Sequence, residues 1–165
     1  MHSIFKIFLF FIMSSSLISC GYTMRGSLKI SESINTISIQ SQQYSDVSND
    51  INLLLTSMDI QTTNQLDKSG YTIKIINERL DKRQLTINPD GRVNEYELIF
   101  TVTFSVITPS KEFAPDTITL YRDYSFDESK ILGTSDRETA LHKEMISTAS
   151  TIIIDRFKAK ITNNP

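Results

Sequence analysis

The sequence predicts an α+β fold: a two-layer sandwich with two helices on one face of a four-stranded mixed sheet, in the order β-α-β-β-β-α. Three observations carry this. Between Arg92 and Thr108, apolar Tyr96, Leu98, Phe100, Val102, Phe104 and Val106 alternate with Glu97, Thr101, Thr103 and Ser105, as in a strand packed on one side only. Two other segments carry apolar residues at helical spacing. The turn signal Asn88-Pro89-Asp90-Gly91 separates two runs rich in β formers.

The first strand is Ile34 to Gln40, with Ile37 and Ile39 at period two. Ser45-Asp46 then offers an N-cap. Val47, Ile51, Leu54, Leu55 and Met58 fall on one face of a helix over residues 46 to 58. Tyr71 to Ile76 opens the second strand, which continues with a bend or bulge to Ile87. The third strand is Arg92 to Thr108, and Pro109 to Pro115 reads as a loop. In the fourth strand, Thr117 to Phe126, Ile118, Leu120, Tyr124 and Phe126 share one face, with Thr119, Asp123 and Ser125 on the other.

Ser135-Asp136-Arg137-Glu138 matches the S-x-x-E capping box and predicts the start of the last helix. Its apolar stripe is Leu141, Met145, Ala149, Ile152, Ile153, Phe157 and Ile161. A helix between the first two strands implies a parallel crossover, and the later turns imply antiparallel pairing. With both helices on the apolar face, the other face is left rich in hydroxyls: Thr101, Thr103, Ser105, Thr119 and Tyr121.

The N-terminus reads differently. Lys6 precedes the apolar run Ile7 to Met13, which Ser14 breaks. That run is far short of the roughly 20 apolar residues needed to span a bilayer, so it reads as a signal peptide. Leu17-Ile18-Ser19-Cys20 has the form of a bacterial lipobox: an aliphatic residue three before the cysteine and a small residue just before it. The expected layout is a lipoprotein signal peptide over 1–19, a lipid-anchored tether over 20–34 and a folded domain over 35–165. Lipidation is expected at Cys20, with stable anchoring requiring more than one acyl chain. Gly21 follows the cysteine; the absence of an aspartate there permits outer-membrane delivery.

Composition narrows the chemistry. The chain has 165 residues, one cysteine and two histidines, which leaves no intramolecular disulfide and no zinc cluster. A formal charge of −2 does not suggest a nucleic-acid partner. No nucleophile elbow, P-loop, dinucleotide fingerprint or H-E-x-x-H motif is present, and no cofactor, metal or catalytic residue is expected. Glu95 and Glu97 are read as lying on opposite strand faces, hence not as an acid–base pair. His142 reads as a boundary residue beside the last helix's stripe. Lys82, Arg83 and Arg92 surround the hairpin turn. They suit either a headgroup phosphate or a solvated hairpin whose charges discourage edge pairing.

Cys20-Gly21-Tyr22-Thr23-Met24-Arg25-Gly26 resembles the mature start of the lipopolysaccharide-assembly lipoprotein LptE family. Asp90-Gly91-Arg92-Val93-Asn94-Glu95-Tyr96-Glu97-Leu98 is similar to that family's turn and strand. Tyr121 to Phe126 and His142-Lys143-Glu144-Met145 fit in order. The resemblance implies two helices on a four-stranded sheet. It also implies an outer-membrane lipoprotein, facing periplasm and barrel lumen, that plugs and helps assemble the LptD β-barrel and binds lipopolysaccharide. Arg92 leads the residues expected to bind it, with Lys82 and Arg83. The chain departs from the family in having Ile131-Leu132-Gly133 before the last helix, where a cation is common. The alternative is a free lipid-binding lipoprotein serving another transport system.

Overall fold

The computed structural model describes residues 30, 34–64, 70–127 and 131–162. The expected signal peptide, Cys20 and all but Ile30 and Ile34 of the expected tether lie outside these residues. Within them the order is β1 (Thr36–Ser41), α1 (Asp46–Ser57), β2 (Gln61–Thr63), β3 (Thr72–Ile87), β4 (Val93–Thr108), β5 (Lys111–Glu112), β6 (Asp116–Ser125) and α2 (Ile131–Thr162).

The expected class is correct, but among the described residues the sheet has six strands rather than four, in the order β2-β1-β3-β4-β5 with β6 also on β4. The added strands are short. β2 pairs in parallel with β1, and β5 turns back onto the end of β4 through Thr108↔Lys111. Polar strands of two or three residues have no periodicity to detect. The parallel crossover is present, since β1 and β3 run parallel around α1. β3–β4 and β4–β6 are antiparallel.

Ser45 caps α1: its Oγ accepts the Ser48 amide at 2.9 Å and donates to Glu78 Oε2 at 2.7 Å. The cap thus tethers the helix start to β3. Val47, Ile51 and Leu55 bury the helix's inner face, and Leu53, opposite, is 68% exposed. Met145, Ala149, Ile153, Ile154 and Phe157 of α2 meet Leu98, Phe100, Val102, Phe104 and Val106 of β4 in one core. Tyr71 packs its ring edge-on to Phe157 at 6.3 Å.

α2 begins at Ile131, ahead of the expected capping box. Ser135 therefore lies inside the helix, and Glu138 serves a different purpose. It is three positions before Leu141 and seven before Met145, on the core-facing stripe, and from there it reaches the sheet.

Candidate functional site

The long β3–β4 hairpin positions the cations singled out in the sequence. Its register shifts between Ile75 and Asn77, where one extra residue on β3 is accommodated as a bulge. A one-residue shift exchanges the faces of every later side chain. Ile73 and Ile75 point to the core before the bulge; Glu78, Leu80 and Lys82 face the same way after it, opposite Val102, Phe100 and Leu98. The bulge therefore puts Lys82 under α2 and sends Arg83 to the other face, opposite Glu97.

Lys82 Nζ donates to Glu138 Oε2 at 2.8 Å and stands 4.7 Å from the centre of the Tyr96 ring. The Tyr124 hydroxyl donates to the same carboxylate oxygen at 2.6 Å. Tyr96 stacks on Tyr124 with centroids 5.9 Å apart, and Phe126 meets Tyr96 edge-on at 5.2 Å. The hydrogen bond to Glu138 raises the Lys82 pKa, against its partial burial. Burial pushes the Glu138 carboxyl upward, but the bonds from Lys82 and Tyr124 outweigh it and hold the carboxyl below its ordinary value. Burial, then the bond to Glu138, raises the Tyr124 phenol.

This cluster walls a cleft of about 340 Å³ lined by Leu80, Lys82, Phe126, Ser135, Glu138, Thr139 and His142. His142 packs edge-on to Phe100 at 5.3 Å and is partly buried, in line with its expected place at the boundary of the stripe.

The other cations lie apart. Arg83 Nε donates to Glu97 Oε2 at 2.5 Å on the open sheet face. Glu95 and Glu97 lie on the same face of β4, contrary to expectation, because residues two apart in a strand point the same way. They take separate partners: Thr86 Oγ1 donates to Glu95 at 2.9 Å, and Arg83 holds Glu97. Arg92 sits in the hairpin turn, where Asn88 Oδ1 accepts the Asp90 and Arg92 amides at 3.0 and 2.8 Å. Lys82 and Arg83 are thus near in sequence but separated by the sheet. Beyond them Leu85 and Ile87 are 40% and 58% exposed, giving the hairpin end an apolar character as well as charge.

The expected hydroxyl face is present but narrower. Tyr121 is 53% exposed, and Thr103 and Thr117 approach each other at 3.2 Å across it. Ser105, opposite Lys74, is buried at 3% exposed and is not part of the open surface.

Sequence reasoning missed Glu138, Tyr124 and Tyr96 as the partners of Lys82. The helical spacing of Glu138 from Leu141 was a usable signal; the face of Lys82 was not, because it depends on the bulge. Among the described residues no three His, Cys, Asp or Glu side chains gather to hold a metal. No described helix is long and apolar enough to cross a membrane.

Comparison with known proteins gives a consistent result. A family model described as LptE, lipopolysaccharide-assembly, matches residues 34–157. The LPS-assembly lipoprotein LptE of Pectobacterium atrosepticum is 18% identical over 140 residues, covering 84% of this chain and 76% of that protein. The crystal structure of the rare lipoprotein B from Shewanella oneidensis superposes with a TM-score of 0.71 at 28% identity, over 78% of this chain and 98% of that one. The solution structure of an uncharacterized lipoprotein B from Nitrosomonas europaea shares the fold, with a TM-score of 0.73 at 23% identity, over 86% of this chain and 93% of that one.

Proposed function

The chain belongs to the LptE family of lipopolysaccharide-assembly lipoproteins, and from that membership we propose that it plugs and helps assemble the LptD β-barrel and binds lipopolysaccharide on its way to the cell surface. The observation that carries this reading is the family match over residues 34–157, nearly the whole of the domain expected from the sequence.

The geometry supports each part. A barrel lumen is polar. The sandwich offers it the open sheet face, with Thr101, Thr103, Thr117, Thr119 and Tyr121, while the apolar face is closed by the helices. Lipopolysaccharide is an anionic amphiphile. The hairpin end combines Arg83 and Arg92 with exposed Leu85 and Ile87, a pairing suited to phosphate beside acyl chain. Arg92 leads this contact. Arg83 joins it on the open face by exchanging the carboxylate of Glu97 for phosphate, and Lys82 does so from the opposite face of the hairpin by exchanging that of Glu138. Acylation at Cys20 holds the protein to the outer membrane, with residues 20–34 as tether. The protein acts by holding charge and shape rather than as a catalyst.

An affinity purification of the acylated protein from detergent-solubilised outer membrane, followed by mass spectrometry, tests the proposal. Stoichiometric recovery of a large β-barrel of the lipopolysaccharide-assembly type is expected. Recovery of the lipoprotein alone, carrying lipid, would instead establish the free lipid-binding role.

A further inference from the structure

β6 is the outer strand along most of β4, and among the described residues no other strand pairs with it. Its sequence, Asp-Thr-Ile-Thr-Leu-Tyr-Arg-Asp-Tyr-Ser, contains no proline, glycine or lysine to discourage pairing. The Phe126 amide bonds to the Asn94 carbonyl at 2.7 Å, and the β4–β6 register is unbroken. In an antiparallel ladder this alternation turns the amides and carbonyls of Thr117, Thr119, Tyr121, Asp123 and Ser125 outward.

Three of those groups are occupied by side chains. Asp116 Oδ1 accepts the Thr117 amide at 2.9 Å. The Thr117 carbonyl accepts from Arg156 Nη1 at 3.4 Å, and the Tyr121 carbonyl accepts from Arg122 Nη1 at 2.9 Å. Both guanidinium groups are held in place by carboxylates: Arg156 by Asp116 at 2.8 Å, and Arg122 by Glu144 of α2 at 3.1 Å. A planar guanidinium can bond a carboxylate and a carbonyl together, which an ammonium does less well.

We infer that β6 is a latent pairing edge for a second copy of this chain, held shut by Arg122 and Arg156. The edge is self-complementary. An antiparallel β6–β6 pair about a two-fold axis at Tyr121 would set Thr119 against Asp123, Thr117 against Ser125, and the two Tyr121 rings together. It would also set Ile118 beside Tyr124, and no like charges would stand directly opposite, the two Arg122 side chains being diagonal neighbours across the axis. The opposite edge of the sheet ends in the three residues of β2, which offer little to pair with. The inference does not rest on the barrel-plug reading.

The test is native mass spectrometry of the full acylated chain released from detergent micelles over a range of protein concentrations. The wild-type chain is expected as a monomer. The pair Arg122→Ala with Arg156→Ala is expected to raise the dimer fraction at least tenfold. Adding Thr119→Pro should restore the monomer, because that amide points outward and proline there costs no β4 bond. The pair Arg122→Lys with Arg156→Lys keeps both ion pairs but loses the fork, and it decides the matter if the alanine pair does not fold; the dimer is expected there too. A folded lysine pair that stays monomeric, a dimer indifferent to Thr119→Pro, or a wild-type dimer abolished by Thr119→Pro would each overturn the inference.

Discussion

Lys82 and Glu138 lie 56 positions apart in the chain, yet the lysine ammonium donates to the carboxylate at 2.8 Å and so joins β3 to the first part of α2. The Tyr124 hydroxyl shares that carboxylate. One acidic side chain therefore ties together two strands and a helix, at the end of the molecule where the hairpin leaves the core.

Glu138→Gln should reduce stability at neutral pH by about 0.2–1 kcal/mol, the range for a solvent-exposed ion pair. The pH dependence has a definite sign. A carboxyl whose pKa is lowered by folding stabilises above its ordinary value, 4.5 here, and loses that contribution as the pH falls through the lower folded value. Urea unfolding at pH 7 and below pH 4 checks this. The difference between wild type and variant should shrink on acidification, and a difference that persists or grows would contradict the assignment.

Gly70 and Gly91 both adopt positive φ, +69° and +79°, but their surroundings differ. At Gly91, in the hairpin turn, a Cβ would meet nothing within 4 Å. Gly91→Ala should cost only the backbone term, about 1–2 kcal/mol. At Gly70 a Cβ would stand 3.0 Å from Pro109 Cγ. Gly70→Ala should therefore cost more than Gly91→Ala, since the turn after β4 must also yield. Comparing the two urea midpoints tests the order; equal losses would show that the Pro109 ring moves freely.

For the proposed lipopolysaccharide contact, Arg92→Ala should lose about 1.5–3 kcal/mol of binding, as expected for a charge-assisted hydrogen bond to phosphate. That corresponds to roughly a tenfold to hundredfold weaker Kd. Equilibrium binding to purified lipopolysaccharide at two salt concentrations measures it. Unchanged affinity would remove Arg92 from the site and move attention to Lys82 and the cleft beside it.

Local pattern made much of the fold legible. The β4 alternation, the α1 stripe and the Asn88–Gly91 turn each rest on neighbours in sequence, and each stands in the structure where the pattern puts it. The capping box places the start of α2 too late, because Ser135 and Glu138 satisfy a local rule that the longer helix overrides. The hydroxyl face is narrower than the pattern at Ser105 implies, because alternation assigns a side chain to a face without saying how far its neighbours cover it.

By itself the sequence determined the layers, the parallel crossover, the hairpin and the residue types available to a binding surface, because these follow from period and turn chemistry. Tertiary structure alone decided the partners. The bulge after Ile75 chose which cation faces α2, and strand order left β6 outermost. The packing of α2 beside that edge then placed Arg156 and Glu144 to close it. Those outcomes depend on register and on contacts between residues distant in the chain, and no local periodicity encodes them.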